Sequence, residues 1–484
     1  MTHQTLKNYI GGAWIDASGD RTQVRRNPAT GAVLAKVPMS GQADVDRAVG
    51  VAKEAFVTWR RVPAIQRARY LFKYKNLLEK NFEEIARVVT TEHGKTLDEA
   101  RGSVRRGIEN VEHACGIPTL MMGDSLEDIA AGIDCETVRQ PIGVFAAITP
   151  FNFPAMVPLW FWPYAVASGN TFVVKPSEQV PLSQQILFEL AHEAGFPAGV
   201  LNLVHGDSAA ASAIVEHPDV AGVSFVGSTE VARSVYERAA ATGKRVQALG
   251  GAKNHLVVME DAVLDRTATS LVESCFGCTG QRCLAGSVVV AVGDVYEALT
   301  ERIVAEAQKI TIGNGADNGV TMGPIVNGGA LDRITTVIHE GVNEGATLLL
   351  DGRDVEVADY PDGLWLGPTI FTDVTDDMRL ANDEIFGPVM VIRRAETLDA
   401  AVKMIHRSPY ANATSIFTSS GKSARHFRYA AGVSMMGVNI GVAAPMAFFP
   451  FGGTKQSFFG DVKAHGKDSI HFFTDQKVVI SRWF

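Results

Sequence analysis

The hydrophobic and polar positions in the first part of the chain follow two different periods. Between residues 43 and 114, apolar side chains recur every three or four positions, as at Val45, Ala48 and Val51. This spacing puts them on one face of a helix, and it predicts helices over 43–59, 64–91 and 97–114. Residues 1–40 instead alternate short apolar runs with glycine and proline breaks, which predicts short strands and turns.

From Pro141 onward, apolar runs alternate with helical patterns. No charged residue or histidine occurs between Pro141 and Val174, a stretch longer than the roughly 18 apolar residues of a membrane span. Five prolines interrupt it, so it predicts two buried strands around a loop and a helix, at 143–148, 158–167 and 171–174. Further strand–helix units follow up to about residue 442, which predicts an α/β fold with parallel sheets.

Two segments stand apart from this alternation. Residues 117–141 change character, and the run E-T-V-R at 136–139 predicts an exposed strand that pairs outside its own domain. Residues 476–481, near the end of the chain, predict another strand, after a glycine-rich stretch that would wrap over a site.

Composition and charge narrow the function classes. The 484 residues are 46% hydrophobic and 20% charged, as expected of a globular enzyme with two or three domains. A net charge of −8 without a long basic run argues against a nucleic-acid partner. Five cysteines in so long a chain do not form a disulfide framework and indicate a reducing compartment. The amino terminus lacks the apolar region of a signal peptide, so we expect a cytoplasmic protein with no membrane partner.

Cys283, in the run FGCTGQRCLAGS at 276–287, is a candidate nucleophile. A thiol attacks as its thiolate, and a neighbouring cation such as Arg282 raises the thiolate fraction. The alternative is that Cys275, Cys278 and Cys283 are simply buried on an apolar helix. No second pair of cysteine or histidine ligands follows at zinc spacing, so we expect no metal site.

Polar and glycine-containing turns follow three of the predicted strands, at 149–152, 175–179 and 227–229. Ligands of a parallel α/β sheet bind at the carboxyl ends of its strands, so these turns predict a nucleotide site along one edge. The G-x-G-x-x-G fingerprint is absent. Free amides at the helix start after Gly227 can still bind a pyrophosphate, although Ser228 and Thr229 are also ordinary helix caps.

Five motifs occur in one order along the chain: P-F-N-F-P at 150–154, K-P-S-E at 175–178, G-S-T at 227–229, Cys283, and N-D-E-I-F-G-P-V at 382–389. With this set the chain resembles the aldehyde dehydrogenase superfamily from end to end. The resemblance implies a homo-oligomer, dimer or tetramer, whose subunit has three parts. These are a Rossmann-like NAD-binding domain (1–117 and 142–250), an α/β catalytic domain (251–442) and a small β oligomerisation part (118–141 and 443–484).

The resemblance also implies roles for single residues. Cys283 would form a thiohemiacetal, give hydride to the nicotinamide of NAD and remain as a thioester. Asn152 and the Cys283 backbone N–H would hold the developing oxyanion, a role worth about 3–4 kcal/mol per donor in other enzymes. The residues matched to the cofactor site are Thr149, Phe151, Lys175, Glu178, Gln179, Ser228, Gly250 and Glu384.

Within that cofactor set, Lys175 and Glu178 match the residues that bind the adenosine ribose, and Glu384 matches the one that holds the nicotinamide ribose. Glu178 would repel a 2′-phosphate, so the resemblance favours NAD over NADP.

One departure from the superfamily pattern concerns the fate of the thioester. Hydrolytic members carry E-L-G-G-K, whose glutamate activates water, whereas this chain has Ala248 followed by L-G-G. Four other runs resemble the CoA-acylating methylmalonate/malonate-semialdehyde dehydrogenases: R-G-I-E at 106–109, G-A-K-N-H at 251–255, G-Q-R-C at 280–283 and S-F-F-G-D at 457–461. The resemblance therefore implies coenzyme A as co-substrate, with loss of CO₂ and formation of acetyl-CoA or propionyl-CoA.

A semialdehyde of this class carries a carboxylate, which a planar guanidinium can bind through two parallel hydrogen bonds. Arg282 lies beside the nucleophile, and the resemblance places Arg106 in the substrate pocket. Neighbouring helical residues point about 100° apart, so either Arg105 or Arg106 faces the site, and the motif selects Arg106. The alternative is that these arginines are solvated helix charges.

Two other functions remain open at this level. A hydrolytic semialdehyde dehydrogenase would need a substitute base such as Glu384, and dependence on CoA would separate the two reactions. A non-catalytic relative is disfavoured, because Cys283, Asn152 and Glu384 are all present.

Overall fold

A computed structural model describes residues 5–484, and the first four residues of the predicted NAD-binding domain lie outside this range. The strands up to residue 250 are β1 (Asn8–Ile10), β2 (Ala13–Ile15), β3 (Thr22–Arg26), β4 (Val33–Pro38), β5 (Ser125–Ala130), β6 (Ile133–Pro141), β7 (Val144–Ile148), β8 (Thr171–Lys175), β9 (Leu201–Leu203), β10 (Val220–Val226) and β11 (Arg245–Leu249). The helices of this part are α1 (Gln42–Trp59), α2 (Ala64–Lys80), α3 (Phe82–His93), α4 (Leu97–Cys115), α5 (Ile117–Leu120), α6 (Trp162–Ala167), α7 (Leu182–Ala194), α8 (Ser208–Glu216) and α9 (Thr229–Ala240).

The same alternation continues after residue 250. Its strands are β12 (His255–Val258), β13 (Val288–Val292), β14 (Thr347–Leu350), β15 (Thr369–Thr372), β16 (Val389–Ala395), β17 (Tyr410–Ala411), β18 (Ala413–Phe417), β19 (Met435–Val438), β20 (Thr454–Lys455), β21 (Phe458–Gly460) and β22 (Thr474–Arg482). Its helices are α10 (Leu264–Phe276), α11 (Tyr296–Ala307), α12 (Gly328–Asn343), α13 (Arg379–Asn382), α14 (Leu398–Arg407), α15 (Gly421–Ala430) and α16 (Gly466–Phe473).

The first sheet has the order β2-β1-β9-β8-β7-β10-β11-β21, and β9 to β11 in this order are parallel. The strands β7 and β8 are buried on both faces, which explains the long uncharged run of the sequence. The chain moves outward from β7 through β8 to β9, then returns to the other side of β7 with β10. Such a change of direction opens a crevice at the carboxyl ends of the strands, where ligands of α/β sheets bind.

The second sheet has the order β14-β15-β16-β13-β12-β18-β19 and is parallel apart from the edge strand β14. The predicted mixed α/β fold with parallel sheets is therefore confirmed. The candidate nucleophile Cys283 lies in the turn that leads into β13, at the amino end of this sheet.

The third sheet is antiparallel, with the order β22-β6-β5. Its strands β22 and β6 pair over nine residues each, from Thr474 opposite Pro141 to Arg482 opposite Ile133. The predicted strand at 136–139 thus pairs with the carboxyl-terminal strand. The carboxyl-terminal segment 443–484 of the predicted oligomerisation part does not lie wholly in this sheet. Its strand β21 pairs antiparallel with β11 at the edge of the first sheet.

Some predicted boundaries are wrong. The single helix expected over 64–91 is two helices, because Asn81 leaves the helical conformation and its side-chain amide donates to the Leu77 carbonyl at 2.8 Å. The helix expected over 158–167 is a 3-10 turn (Pro158–Trp160) followed by the short α6. Apolar periodicity did not reveal these breaks, since the apolar face continues across each of them.

Candidate active site

The loop before Cys283 has an unusual backbone. Helix α10 ends at Phe276, and the next turn places Cys278 and Thr279 at φ 52° and 57°. In this left-handed region the backbone of residues other than glycine is strained. Gly280 continues at φ 69°, and a Cβ there would lie 2.0 Å from the Gly387 carbonyl oxygen. Partners hold the strained pair, since Thr279 Oγ1 donates to the Gly323 carbonyl at 2.9 Å and the Cys278 N–H donates to Glu99 Oε1 at 2.5 Å.

Two asparagine side chains fix the backbone of Cys283 itself. Asn254 Nδ2 donates to the Cys283 carbonyl at 2.8 Å, and Asn412 Nδ2 donates to the same oxygen at 3.0 Å. Asn254 Nδ2 also reaches the Ala285 carbonyl at 2.9 Å, while its Oδ1 accepts the Ala413 N–H at 3.0 Å. The nucleophile turn is therefore tied to the starts of β12 and β18, which explains the asparagine in G-A-K-N-H.

The Cys283 thiol is protonated at neutral pH in this state. Burial raises its pKa to about 12, and the negative charge of Glu384 acts in the same direction. The backbone N–H groups of Cys283 and Leu284 and the charge of Arg282 lower the pKa, but less strongly. The predicted influence of Arg282 thus has the expected sign, while burial outweighs it. The Arg282 guanidinium also donates to the Glu273 carbonyl at the end of α10.

Asn152 lies against the nucleophile turn and is 4% exposed. Its Nδ2 donates to the Gln281 carbonyl at 3.1 Å, two residues before Cys283. Its own carbonyl accepts a 2.6 Å hydrogen bond from Nζ of Lys95, a fully buried lysine whose ammonium lies 3.9 Å from the centre of the Phe153 ring. Burial lowers the pKa of Lys95. The loop after β7 is therefore held to the loop before α4 by a lysine that the sequence analysis did not select.

Cys283 opens into a cavity of about 350 Å³ whose walls include both predicted substrate arginines, Arg106 and Arg282. The neighbouring Arg105 points elsewhere, because its guanidinium makes two hydrogen bonds with Glu79, at 2.7 and 2.8 Å. The other lining residues are Glu99, Gly102, Ser103, Glu109, Asn110, Phe153, Met156, Trp160, Cys278, Leu284, Val442, Ala444, Pro445, Ala447, Phe451 and His465. A cavity with apolar walls and arginines beside a thiol suits a small aldehyde that carries an anionic group.

The residues predicted to bind the cofactor, apart from Glu384, close or follow strands of the first sheet. Lys175 closes β8, and its Nζ pairs with Glu178 Oε2 at 3.1 Å. Thr149 follows β7, and its N–H donates to the Lys175 carbonyl at 3.0 Å. Gln179 accepts a hydrogen bond from Asn327 Nδ2 at the start of α12.

Phe151 is partly buried in this region: its ring stacks on His93 at a centroid distance of 6.0 Å and meets Phe386 edge-on at 5.7 Å.

A second cavity, of about 270 Å³, is lined by Ser228 and Glu384. Ser228 is the N-cap of α9, yet its side chain accepts no hydrogen bond from the helix. Gly250 and Gly251 pack tightly beside the start of α9, because a Cβ on Gly250 would lie 2.7 Å from the Gln456 carbonyl oxygen and one on Gly251 would lie 2.5 Å from Glu384 Oε2. A helix start whose cap residue makes no side-chain hydrogen bond is the kind of surface that binds a pyrophosphate.

Glu384 is a perturbed carboxylate. Burial raises its pKa to about 7, although a hydrogen bond from the Ala252 N–H and the charges of Lys253 and Arg333 oppose the rise. At neutral pH it therefore exists in both the protonated and the ionised form, which is the condition for exchanging protons near pH 7.

Ala248 is fully buried in β11, opposite Phe225 of β10 and Phe459 of β21. It packs among aliphatic side chains that include Ile148 and Val223. A methyl group in this setting supplies no general base.

The profile of the Aldehyde dehydrogenase family matches residues 14–479 of the chain. The chain belongs to the aldehyde dehydrogenase family. This enzyme is 52% identical over 481 residues to the malonate-semialdehyde dehydrogenase 2 of Geobacillus kaustophilus (strain HTA426), with 99% of both chains covered. It is 51% identical over 482 residues to the malonate-semialdehyde dehydrogenase of Halalkalibacterium halodurans, covering 100% of this chain and 99% of that protein.

Solved structures agree with the sequence relatives. The aldehyde dehydrogenase fold superimposes with a TM-score of 0.98 on a Sinorhizobium meliloti 1021 protein described as a methylmalonate-semialdehyde dehydrogenase and crystallised with NAD, at 43% identity and covering 100% of this chain and 98% of that one. A methylmalonate-semialdehyde dehydrogenase from Oceanimonas doudoroffii gives a TM-score of 0.97 at 42% identity, with 99% and 98% covered. The predicted superfamily is therefore confirmed.

Three residues of this aldehyde dehydrogenase contact the nucleophile turn or its loops without having been selected from the sequence: Lys95, Asn254 and Asn412. Asn254 could have been found, because it lies in a run that the resemblance already used. Lys95 and Asn412 carry no local signal, since their partners are 57 and 129 residues away. Within residues 5–484, no helix combines the length and apolar character that crossing a membrane requires.

Proposed function

We propose that this aldehyde dehydrogenase oxidises malonate semialdehyde or methylmalonate semialdehyde with NAD and passes the acyl group to coenzyme A, giving acetyl-CoA or propionyl-CoA and CO₂. The observation that carries the proposal is a cavity lined by Cys283, Arg106 and Arg282, in a chain that has Ala248 where hydrolytic members carry the glutamate. The malonate-semialdehyde and methylmalonate-semialdehyde dehydrogenases among its relatives support the same substrate class.

The covalent steps assign one task to each polar group. Cys283 Sγ attacks the aldehyde carbon, and the Asn152 amide with the Cys283 backbone N–H stabilises the oxyanion that forms. Asn152 Nδ2 now donates to the Gln281 carbonyl and would turn from it toward the substrate oxygen. Bound NAD supplies the hydride acceptor and a positive ring that favours the thiolate. The carboxylate departs as CO₂, the electron pair of the broken bond stays on the methylene carbon, and a proton completes the methyl group.

The chain's own residues fit NAD. The Lys175–Glu178 pair lies at the carboxyl end of β8, next to the change of direction in the first sheet. Ser228 leaves the start of α9 without a side-chain cap. The carboxylate of Glu178 accepts hydrogen bonds from a ribose and repels a 2′-phosphate, so NAD is preferred over NADP. The relative crystallised with NAD supports this assignment.

Hydrolysis of the thioester is the second candidate reaction, because of one observation. Glu384 has a pKa of about 7, and its charge acts on the Cys283 thiol. It could serve as base for a water molecule where Ala248 cannot. Its place beside Gly251 and Ser228 fits contact with the cofactor better, so we assign Glu384 to the nicotinamide ribose.

Acyl transfer to CoA and hydrolysis of the thioester can be distinguished by their products. We expect the enzyme, NAD and malonate semialdehyde to give acetyl-CoA and CO₂ in amounts equal to NADH when CoA is present. Mass spectrometry of the acyl product and trapping of CO₂ measure both. Formation of a free acid at the same rate with and without CoA would contradict acyl transfer.

Arg106 is expected to select substrates with a carboxylate. Hydrogen bonds to charged groups contribute roughly 1.5–3 kcal/mol each, so losing one costs about 10–150-fold. We expect Arg106→Leu to lower kcat/KM for malonate semialdehyde by about that factor and to lower kcat/KM for propanal, which lacks the carboxylate, far less. Steady-state NADH formation with both aldehydes measures the ratio.

Arg105→Leu is the matched control for Arg106→Leu. Arg105 is the next residue of α4, its ion pair with Glu79 lies outside the cavity, and exposed ion pairs contribute little to stability. Its ratio of activities on the two aldehydes should equal that of the wild type. Equal losses on both aldehydes in Arg106→Leu would assign Arg106 to folding or to cofactor binding instead.

We further propose that the enzyme is a homo-oligomer assembled through the third sheet. Large apolar side chains are exposed on two of its strands, Leu126 and Ile129 on β5 and Val478 and Ile480 on β22. A contiguous apolar surface of this kind is typical of an interface between protein chains.

A further inference from the structure

His465 is a polar side chain of the cavity that has no partner in the protein. It is 3% exposed, and neither ring nitrogen makes a hydrogen bond to any described residue. Its ring meets Trp160 edge-on at a centroid distance of 4.7 Å and lies 5.4 Å from Phe451. Buried polar groups in native proteins are nearly always hydrogen-bonded, so an imidazole left without a partner in a substrate cavity indicates a missing ligand.

The backbone of His465 has an unfavourable conformation. Its φ and ψ are 70° and 170°, a region that residues other than glycine rarely adopt and that clusters at functional sites. Hydrogen bonds fix both sides. The preceding residue, Ala464, exchanges two with Phe451, at 2.7 and 3.1 Å, and the following residue, Gly466, donates to the Ala447 carbonyl at 2.9 Å. The surrounding structure therefore imposes this orientation on the histidine.

Other polar groups of the cavity already have partners within the chain. Glu99 accepts the N–H groups of Thr96 and Cys278, and Asn110 accepts the Tyr164 hydroxyl at 3.1 Å. His465 differs from them in having its donor and its acceptor free.

Arg106 is the positive charge of the cavity next to His465, and it lies 3.5 Å from the Glu109 carboxylate. Burial lowers the pKa of His465 to about 3, and the charge of Arg106 acts in the same direction. The ring is therefore neutral and offers one N–H donor and one acceptor nitrogen. Arg106 is close enough to act on it electrostatically, and both residues line the same cavity.

We propose that His465 donates a hydrogen bond to the carboxylate of the semialdehyde substrate, which lies between its imidazole and the Arg106 guanidinium. His465 would then contribute to substrate specificity, although no sequence motif indicates this role. This inference rests on the proposed function, because it requires a substrate that carries a carboxylate.

Three substitutions and a control test the proposal. His465→Leu replaces the donor with an apolar side chain, His465→Gly removes the donor and relieves the backbone strain, and His465→Asn keeps an N–H donor on a smaller side chain. We expect the first two to lower kcat/KM for malonate semialdehyde about 10-fold or more, with a much smaller loss for propanal. His465→Asn should recover most of the selectivity, and Lys467→Ala, an exposed position of α16, should match the wild type on both aldehydes.

Thermal unfolding of each variant separates a folding defect from a binding defect, and His465→Gly keeps the test decisive if His465→Leu does not fold. Equal losses on both aldehydes in the donor-free variants, or unchanged selectivity, would overturn the proposal. The proposed function is judged separately by whether the wild type converts malonate semialdehyde, NAD and CoA to acetyl-CoA, CO₂ and NADH. Formation of acetyl-CoA together with unchanged selectivity in the variants would contradict the role of His465 alone.

Discussion

Cys283→Ala is expected to abolish NADH formation, with a loss of more than about 10⁴-fold. Removal of the nucleophile alone costs other covalent enzymes on the order of 10⁶-fold in kcat. Cys283 opens into the cavity and is fixed by two asparagine amides, whereas Cys275 is fully buried with Sγ 3.6 Å from the Val389 carbonyl oxygen. NAD should still bind, because the substitution leaves the residues assigned to NAD unchanged. Calorimetric titration with NAD and a NADH assay measure the two properties.

The other cysteines supply matched controls for Cys283→Ala. Cys135→Ser changes a partly exposed residue of the third sheet, paired with Ile480, and should keep full activity. Cys278→Ala removes the second thiol of the cavity and should keep most of it. Turnover retained in Cys283→Ala, or lost in Cys278→Ala with normal folding, would move the covalent step to another residue.

Without CoA, the enzyme is expected to stall after one turnover. Help from a general base is typically worth about 10²–10⁴-fold, and Ala248 supplies none, so the thioester on Cys283 should outlast the oxidation step by about that factor. Rapid mixing with NAD and malonate semialdehyde should give a burst of NADH near one equivalent of active sites, followed by a slow phase. Addition of CoA should restore fast turnover.

The stalled enzyme can be examined directly. Digestion and mass spectrometry should find one acyl group on the peptide that contains Cys283, and Cys283→Ala should show neither the burst nor the adduct. Fast, linear NADH formation without CoA would instead mean that water accepts the acyl group efficiently. Glu384 would then be the candidate base that activates the water.

The parts of the fold that the sequence predicted correctly are those with strong local patterns. The buried strands β7 and β8 and the amphipathic helix α1 could be predicted without knowledge of the rest of the chain. The edge strands β14 and β21 were missed, because their four and three residues are too short for a period to be visible. The break at Asn81 was missed, because a side-chain hydrogen bond makes it while the apolar face continues across it.

The candidate site shows the same division between local and distant information. Cys283, Asn152 and Arg106 belong to short runs that carry a resemblance, and the structure brings the nucleophile and the arginine to one cavity. Lys95 and His465 have no such run. The importance of Lys95 comes from a carbonyl 57 residues away, and that of His465 comes from a backbone conformation and a burial that only the folded chain produces.

The last 42 residues of the chain complete structures that begin hundreds of residues earlier. The cavity wall includes Phe451 and His465, β21 closes the edge of the first sheet, and β22 pairs with β6 across more than 330 residues of sequence. During synthesis, both parallel sheets can therefore form before the substrate pocket does. A ribosome-bound or prematurely terminated chain that stops near residue 450 would hold the nucleophile and the residues assigned to NAD, yet it would lack Phe451 and His465 of the cavity wall. The cavity thus becomes complete only after residue 465 has been added.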